Sequence, residues 1–309
     1  MNPSNKPKLI AIVGPTASGK TMLAIDLARR IAAGAEIVSA DSRQVYRGMD
    51  IGTAKPTPAE RAAVPHHLID IRAPDEDYTV ADYQRDAFAA IDDVIARGKT
   101  PFIVGGTGLY VRAVVENLDL PKTAADPKLR TEIEADIARD GLAAVFARLV
   151  ALDPDAESVV DPNNPRRVVR ALEVALSTGE PFTAQRRRCE PRYNTLVIGL
   201  NPPPGVLRER IDRRVDEMIA AGFADEVAAL VREYGPSMPE FNAIGYREMI
   251  ARLNGATTID KTAAAIKMDT WHYAKRQLTW FRKDHRTQWL NMTEPNEHAP
   301  SLVKRFLTT

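Results

Sequence analysis

Cysteine is almost missing from this chain. Cys189 is the only one in 309 residues, so no internal disulfide can form and nothing points to an oxidising compartment. No base neighbours Cys189 in sequence, and it reads as a bystander thiol. Long apolar runs are missing too. The first eight residues are polar, and the stretch Leu9-Ile10-Ala11-Ile12-Val13 is too short for a signal core or a membrane span. The expected setting is therefore the cytoplasm, with no membrane partner. There is no internal repeat and no low-complexity segment. Hydrophobic residues make up 44% and charged residues 27%, which excludes wholesale disorder. The length accommodates one large domain with an insertion, or two domains. Net charge is only +1, but it is unevenly placed. Residues 162–192 hold seven Arg against three Glu, and residues 271–292 hold five Lys or Arg against one Asp. Two basic islands on an otherwise acidic chain fit a polyanion-binding face, and they also fit ordinary solvated surface.

Residues 8–13 read as a continuous, buried strand of the parallel-sheet type. They run into Gly14-Pro15-Thr16-Ala17-Ser18-Gly19-Lys20-Thr21, and a helical pattern follows over residues 22–33, closed by Gly34. A second strand is expected over 36–40, ending at Asp41, and then a loop-rich stretch through Gly52, Pro56, Pro58 and Pro65. A helix over 80–96 and a strand over 101–104 lead to Gly105-Gly106-Thr107-Gly108. This alternation predicts an α/β fold, a P-loop-containing parallel sheet flanked by helices. Between 128 and 176 every periodic segment is helical, and the next strand is expected at 194–200. A mainly helical insertion over 122–190 is therefore predicted, mounted on a core of residues 1–121 and 191–309. Two helices near 205–220 and 222–233 and a helix-rich tail complete the core.

Gly14 to Thr21 matches G-x-x-x-x-G-K-[ST] between a strand and a helix, the context in which backbone N–H groups and a helix N-terminus cradle phosphates. Lys20 supplies a point charge and Thr21 a hydroxyl for Mg²⁺; the loop does not reveal whether a nucleotide or another diphosphate is bound. Asp41 at a strand end faces the ligand crevice, either as a metal ligand or base or as a turn cap beside Ser42. Thr107 brings the one hydroxyl of the Gly105–Gly108 turn to the same crevice. No second acidic strand end of the hydrolytic NTPase type is present, leaving kinases and diphosphate-using transferases. The stretch 271–283 interleaves cations with aromatics, as suits phosphates and stacked bases, although Trp280 and Phe281 also suit a helix core. Arg166, Arg167 and Arg170 open a helix where positive charge is electrostatically unfavourable. Arg208, Arg210, Arg213 and Arg214 share a helix with Asp212, Asp216 and Glu217, and most of them read as solvated ion pairs.

With these residues assembled, the chain resembles the tRNA dimethylallyltransferase (tRNA isopentenyltransferase) family from Ile12 to about Trp289. The resemblance rests on the P-loop, Asp41-Ser42, Gly48-Met49-Asp50-Ile51-Gly52-Thr53-Ala54-Lys55-Pro56 and Pro65-His66-His67. It continues through Gly105-Gly106-Thr107-Gly108-Leu109-Tyr110, Arg170-Ala171-Leu172-Glu173, Ile244-Gly245-Tyr246-Arg247, and Lys275-Arg276-Gln277 with Thr279-Trp280. It implies transfer of a dimethylallyl group from its diphosphate to the exocyclic amine of the adenine 3′ of a tRNA anticodon, with no NTP consumed. Asp41 would then be the general base, Thr107 would line the reaction channel, and Arg214 would stabilise the leaving diphosphate held by residues 14–21 with Mg²⁺. The stretches matching the family's tRNA contacts are Asp41, Ser42, Arg43 and Gln44, then Thr107, Arg130, and Arg166, Arg167, Val168, Val169 and Arg170. Further along they are Asn242, Ala243, Ile244, Gly245, Tyr246 and Arg247, and then Lys275, Arg276, Gln277, Leu278, Thr279, Trp280, Phe281 and Arg282. Some members carry a C-terminal zinc finger; this tail has no cysteine, so no zinc is expected, and nothing demands more than a monomer. Three alternatives stand beside this reading: a small-molecule kinase on the same core, prenyl transfer to free adenosine nucleotide, and a non-catalytic RNA-binding protein.

Overall fold

A computed structural model describes residues 6–120, 126–184, 189–291 and 298–309. The chain divides into two compact units, Met1–Val115 with Pro191–Thr309, and Glu116–Glu190. The predicted boundary near 121 lies outside the described residues, as do Arg186, Arg187 and Arg188 of the first basic island.

The larger unit begins with β1 (Lys8–Val13), α1 (Lys20–Arg29), β2 (Ala35–Ser39), α2 (Pro58–Ala63) and β3 (His66–His67). It continues with α3 (Val80–Ala96), β4 (Thr100–Gly105) and α4 (Gly108–Val115). The smaller unit contains α5 (Pro127–Asp140), α6 (Leu142–Leu152), α7 (Ala156–Val159) and α8 (Pro165–Thr178). The chain then returns through β5 (Asn194–Leu200), α9 (Pro204–Ala220), α10 (Phe223–Tyr234) and a 3₁₀ turn, Pro239–Asn242. The last elements are α11 (Tyr246–Leu253), α12 (Ile259–Phe281), β6 (Gln288–Leu290) and α13 (His298–Thr308).

The sheet is parallel throughout, in the order β3-β2-β4-β1-β5-β6. Strand β1 is central, with Ile10 aligned to Phe102 on one side and Leu196 on the other. Because side chains alternate along a strand, Leu9, Ala11 and Val13 enter the core shared with Tyr83, Ile91, Val114 and Phe281. Ile10 and Ile12 enter the opposite core, with Leu27, Ala28 and Val303 of α1 and α13. Burial on both faces explains the uninterrupted apolar run.

Three local readings need correction. Helix α1 stops at Arg29 rather than 33; Ile31 N–H bonds the Ala28 carbonyl and Gly34 N–H the Ile31 carbonyl, so residues 30–34 close as turns. The loop-rich stretch contains α2, capped by Thr57 and Glu60 reciprocally, with Pro58 at the helix start where its missing N–H costs nothing. Strands β3 and β6, only two and three residues long, carry no periodic signal of their own and exist because a neighbouring strand edge is there to pair with.

At the start of β2 the buried Glu36 holds a network. Its carboxylate accepts two bonds from Arg97, one from Lys99 at 2.7 Å, and contacts His67 Nε2 at 2.7 Å. The Arg97 hydrogen bonds, then those of Lys99 and His67, outweigh burial and hold this carboxyl well below the usual carboxylate range. A depressed carboxyl stabilises the fold above its unfolded-state pKa, and that contribution is lost as pH falls below about 4. Glu36→Ala is expected to cost about 2–3 kcal/mol at pH 7, with the difference from wild type shrinking in acid. Urea denaturation at pH 7 and pH 3 measures it; equal deficits at both pH values would refute the ionic origin.

Candidate active site

The C-terminal ends of β1, β2 and β4 open into one crevice, as parallel α/β sheets require of ligand sites. The loop after β1 closes with Gly19 in the left-handed region (φ 92°), which lets α1 begin at Lys20 without a side-chain cap and leaves its first N–H groups facing the loop. Lys20 Nζ donates to the Pro15 carbonyl at 2.6 Å. The half-buried Thr21 has no hydrogen-bond partner for its hydroxyl among the described residues.

Helix α9 supplies two further cations. Arg214 Nη1 donates to Thr16 Oγ1 at 3.4 Å, and Arg210 Nη1 to the Ser18 carbonyl at 3.3 Å. These residues are four apart and flank the buried stripe Leu207, Ile211 and Val215, so both side chains turn to the loop. Arg208 and Arg213 instead pair along the helix with Asp212 and Glu217. Reading this cluster as solvated ion pairs therefore holds for Arg208 and Arg213 and misses Arg210; the 210/214 spacing puts these two on one helix face, but nothing in the sequence names the loop that face meets. Burial, then the neighbouring Arg214, lowers the Lys20 ammonium to about 7, with Asp41 opposing. Burial also lowers Arg214. Two cations held close together out of water are unfavourable alone and become favourable around an anion.

Asp41 follows β2. Its Oδ1 accepts the Arg43 N–H at 2.9 Å and the Gln44 N–H at 3.4 Å, so the carboxylate does cap the turn. No hydrogen bond among the described residues reaches Oδ2. The turn is fixed against β4: Ala40 N–H donates to Val104, Thr107 N–H donates to Ala40, and the Ser42 N–H donates to Thr107 Oγ1 at 3.0 Å. Asp41, Thr107 and the loop thus share one crevice. Gln44 anchors the following loop, donating to the Thr53 and Ala54 carbonyls, both at 3.3 Å. That loop is fastened from beneath by Glu226, which accepts the Asp50, Ile51 and Gly52 N–H groups and the Tyr246 hydroxyl.

Helix α12 forms another wall. Tyr273, half-buried on this helix, is pushed up to about 12 by burial and then by the charge of Asp41; sequence reading did not single it out. Gly106 and Gly108 have no room for a Cβ: one would come within 2.2 Å of the Gln277 amide and the Trp280 indole respectively. Lys275, Arg276, Thr279 and Arg282 are exposed, and Lys275 lies over the Trp271 ring at 5.6 Å. Lys275, Arg276 and Thr279, with His272, Trp280 and Lys283, line a shallow basic groove, and Arg282 donates to Asn201 Oδ1 at 3.3 Å. Phe281 is buried in the sheet core, Leu278 packs beside Ala274, and Gln277 is turned inward.

Of the stretch 242–247, Asn242 and Arg247 are exposed, Ala243 and Ile244 are half-buried, and Gly245 and Tyr246 are buried. Arg247 pairs with Glu248 and Asp269. In the smaller unit, Val168 and Val169 belong to the helical core. Arg130 and Arg170 both grip the fully buried Glu173, at 2.9 and 3.0 Å. Burial opposes the Glu173 charge, but Arg130, Arg170 and the Asp126 N–H outweigh it and lower its pKa. Arg166 and Arg167 are exposed and have no ion pair among the described residues.

Fold and site together define a P-loop α/β protein in which a Lys–Arg anion cradle meets a strand-end carboxylate. The chain belongs to the IPP transferase family, whose model matches residues 44–284. It is 53% identical over 276 residues to the tRNA dimethylallyltransferase of Roseiflexus sp. (strain RS-1), covering 89% of this chain and 90% of that one. It is 49% identical to that of Symbiobacterium thermophilum, covering 94% and 91%. Among solved structures, the tRNA isopentenylpyrophosphate transferase of Bacillus halodurans is 43% identical with a TM-score of 0.72, over 98% of this chain and 96% of that one. A eukaryotic dimethylallyltransferase acting on tRNA is 27% identical with a TM-score of 0.83, over 98% and 80%.

Proposed function

We propose that this protein is a tRNA dimethylallyltransferase, moving a dimethylallyl group from dimethylallyl diphosphate to the N6 amine of the adenine 3′ of the anticodon. The observation that carries this reading is the meeting, in one crevice, of a paired-cation cradle and a carboxylate. The relatives' activity supplies the substrate class.

In this reading residues 14–21 hold the donor diphosphate through backbone N–H groups and the α1 N-terminus. Breaking the carbon–oxygen bond leaves negative charge on the diphosphate, which Lys20 and Arg214 absorb. Asp41 takes the proton from the attacking amine. An aromatic amine is a weak nucleophile, so the adenine must leave the anticodon loop and enter a water-poor crevice, where Thr107 and Tyr273 line its path. Thr21, whose hydroxyl makes no hydrogen bond among the described residues, would hold Mg²⁺, which would add charge neutralisation at the diphosphate when bound. The substrate implies the cytoplasm, and nothing in this reading requires more than a monomer.

Incubating the protein with dimethylallyl diphosphate and unmodified tRNA, followed by mass analysis of nucleosides, tests the assignment. Transfer to free adenosine monophosphate but not tRNA would favour the nucleotide-prenylating alternative, and ATP turnover with a small acceptor would favour the kinase. In this reading exposed cations of the smaller unit take part in holding the tRNA anion. Because Arg170 is committed to Glu173, Arg166 and Arg167 are the cations at this helix start that have no ion pair among the described residues. Arg166→Ala with Arg167→Ala is expected to weaken tRNA binding and flatten its salt slope by about 0.7–0.9 for each phosphate left unneutralised. An unchanged slope in filter binding from 50 to 200 mM salt would assign both arginines to plain surface.

A further inference from the structure

We infer that Gln277, on α12, is a positioning residue for the donor cradle rather than a contact for tRNA. The side chain is 6% exposed. Its Oε1 accepts the Thr16 N–H at 2.8 Å, and its Nε2 donates to the Gly106 carbonyl at 2.8 Å. One amide thus bridges the P-loop after β1 and the glycine turn after β4, the two loops that flank the crevice. A P-loop N–H is one of the groups a phosphate would take, and here it is already satisfied by the protein. Gly106 makes the arrangement possible: a Cβ there would stand 2.2 Å from Nε2, so the turn approaches α12 with nothing between.

The bridge acts on both halves of the chemistry. Thr16 also receives Arg214 through its hydroxyl, so the backbone position of Thr16 sets where that guanidinium stands. Gly106 precedes Thr107, whose hydroxyl holds the Ser42 N–H and with it the turn carrying Asp41. Gln277 therefore fixes the separation between the cations that receive the diphosphate and the carboxylate that receives the proton. An amide suits this task because it offers a donor and an acceptor side by side without adding charge to a cradle already crowded with cations. Exposed neighbours on the same helix, Arg276 and Thr279, remain the groups facing solvent.

The inference rests on the proposed function, and its test separates the two. Gln277→Met keeps shape and volume but makes neither bond. It is expected to raise the KM for dimethylallyl diphosphate and the Kd for inorganic diphosphate about tenfold or more, and to lower kcat, while the Kd for tRNA stays within about twofold. Gln277→Glu keeps the acceptor for Thr16 but sets a second oxygen against the Gly106 carbonyl, and should show the same donor-specific defect. It carries the test if the methionine variant does not fold. A purely structural role would move the melting temperature and the two ligands together. A wild-type donor KM in both variants, or a defect confined to tRNA binding, would overturn the inference while leaving the function intact. No transfer by the wild-type protein would overturn the function and this role with it.

Discussion

Asp41→Ala is expected to lower the turnover of prenyl transfer about 10²- to 10⁴-fold, the range that a positioned general base contributes, while the donor still binds. The difficulty is that Asp41 does two things. Its Oδ1 caps the turn that presents Arg43 and Gln44, so alanine also loosens that turn, and lost activity alone would not isolate the base. Asp41→Asn separates the roles: an amide oxygen still accepts the Arg43 N–H, but the side chain cannot take a proton. Equal loss in both variants, with unchanged tRNA affinity in the asparagine form, marks the base. If Asp41→Asn transferred at the wild-type rate, Asp41 would be a cap and nothing more. Single-turnover mass analysis of tRNA nucleosides reads the chemistry without interference from product release.

The second large effect concerns Lys20. Lys20→Met should weaken the donor and slow transfer about 10²- to 10³-fold, the loss typical of removing one group that stabilises developing oxyanion charge. A subtler consequence comes from its lowered pKa of about 7. Below pH 7 the free protein holds Lys20 charged; above it, the ammonium loses its proton more readily than an exposed lysine would. Diphosphate favours the protonated form, so binding above pH 7 takes up a proton, and the donor Kd should rise with pH, at most about tenfold per unit. The diphosphate's own ionisation is largely complete there, so the trend belongs to the protein. Calorimetry in two buffers of different ionisation enthalpy at pH 8 would report the proton uptake directly. A flat Kd between pH 7 and pH 9 contradicts it. Removing Arg214 relieves one of the charges that depress Lys20, so Arg214→Ala should move the rise to higher pH even as it weakens the donor.

Much of the core was legible in the order of residues alone. Strand β5 and helix α3 lie where hydrophobic periodicity puts them, because both bury long apolar stripes and carry their own start and stop signals. Helix α2 was legible in principle, since Thr57 and Glu60 form a capping box, but nearby prolines masked it. Strands β3 and β6 were not legible, because so few residues carry no period.

The site divides along the same line. The loop from Gly14 to Thr21, the carboxylate ending β2 and the glycine turn ending β4 are set by local sequence, because each is a short segment whose backbone geometry its own residues impose. Which polar side chains then turn toward that loop was decided by tertiary structure alone. Arg210 faces the loop and Arg213 does not, although both sit on one helix amid similar neighbours. Arg170 looks like its neighbour Arg166 until a buried Glu173 claims it. Gln277 reads as part of a basic, aromatic strip, yet it meets Thr16 across 261 residues of chain. Partners that distant are chosen by how helices pack on the sheet, and no pattern within a short window of sequence encodes that choice.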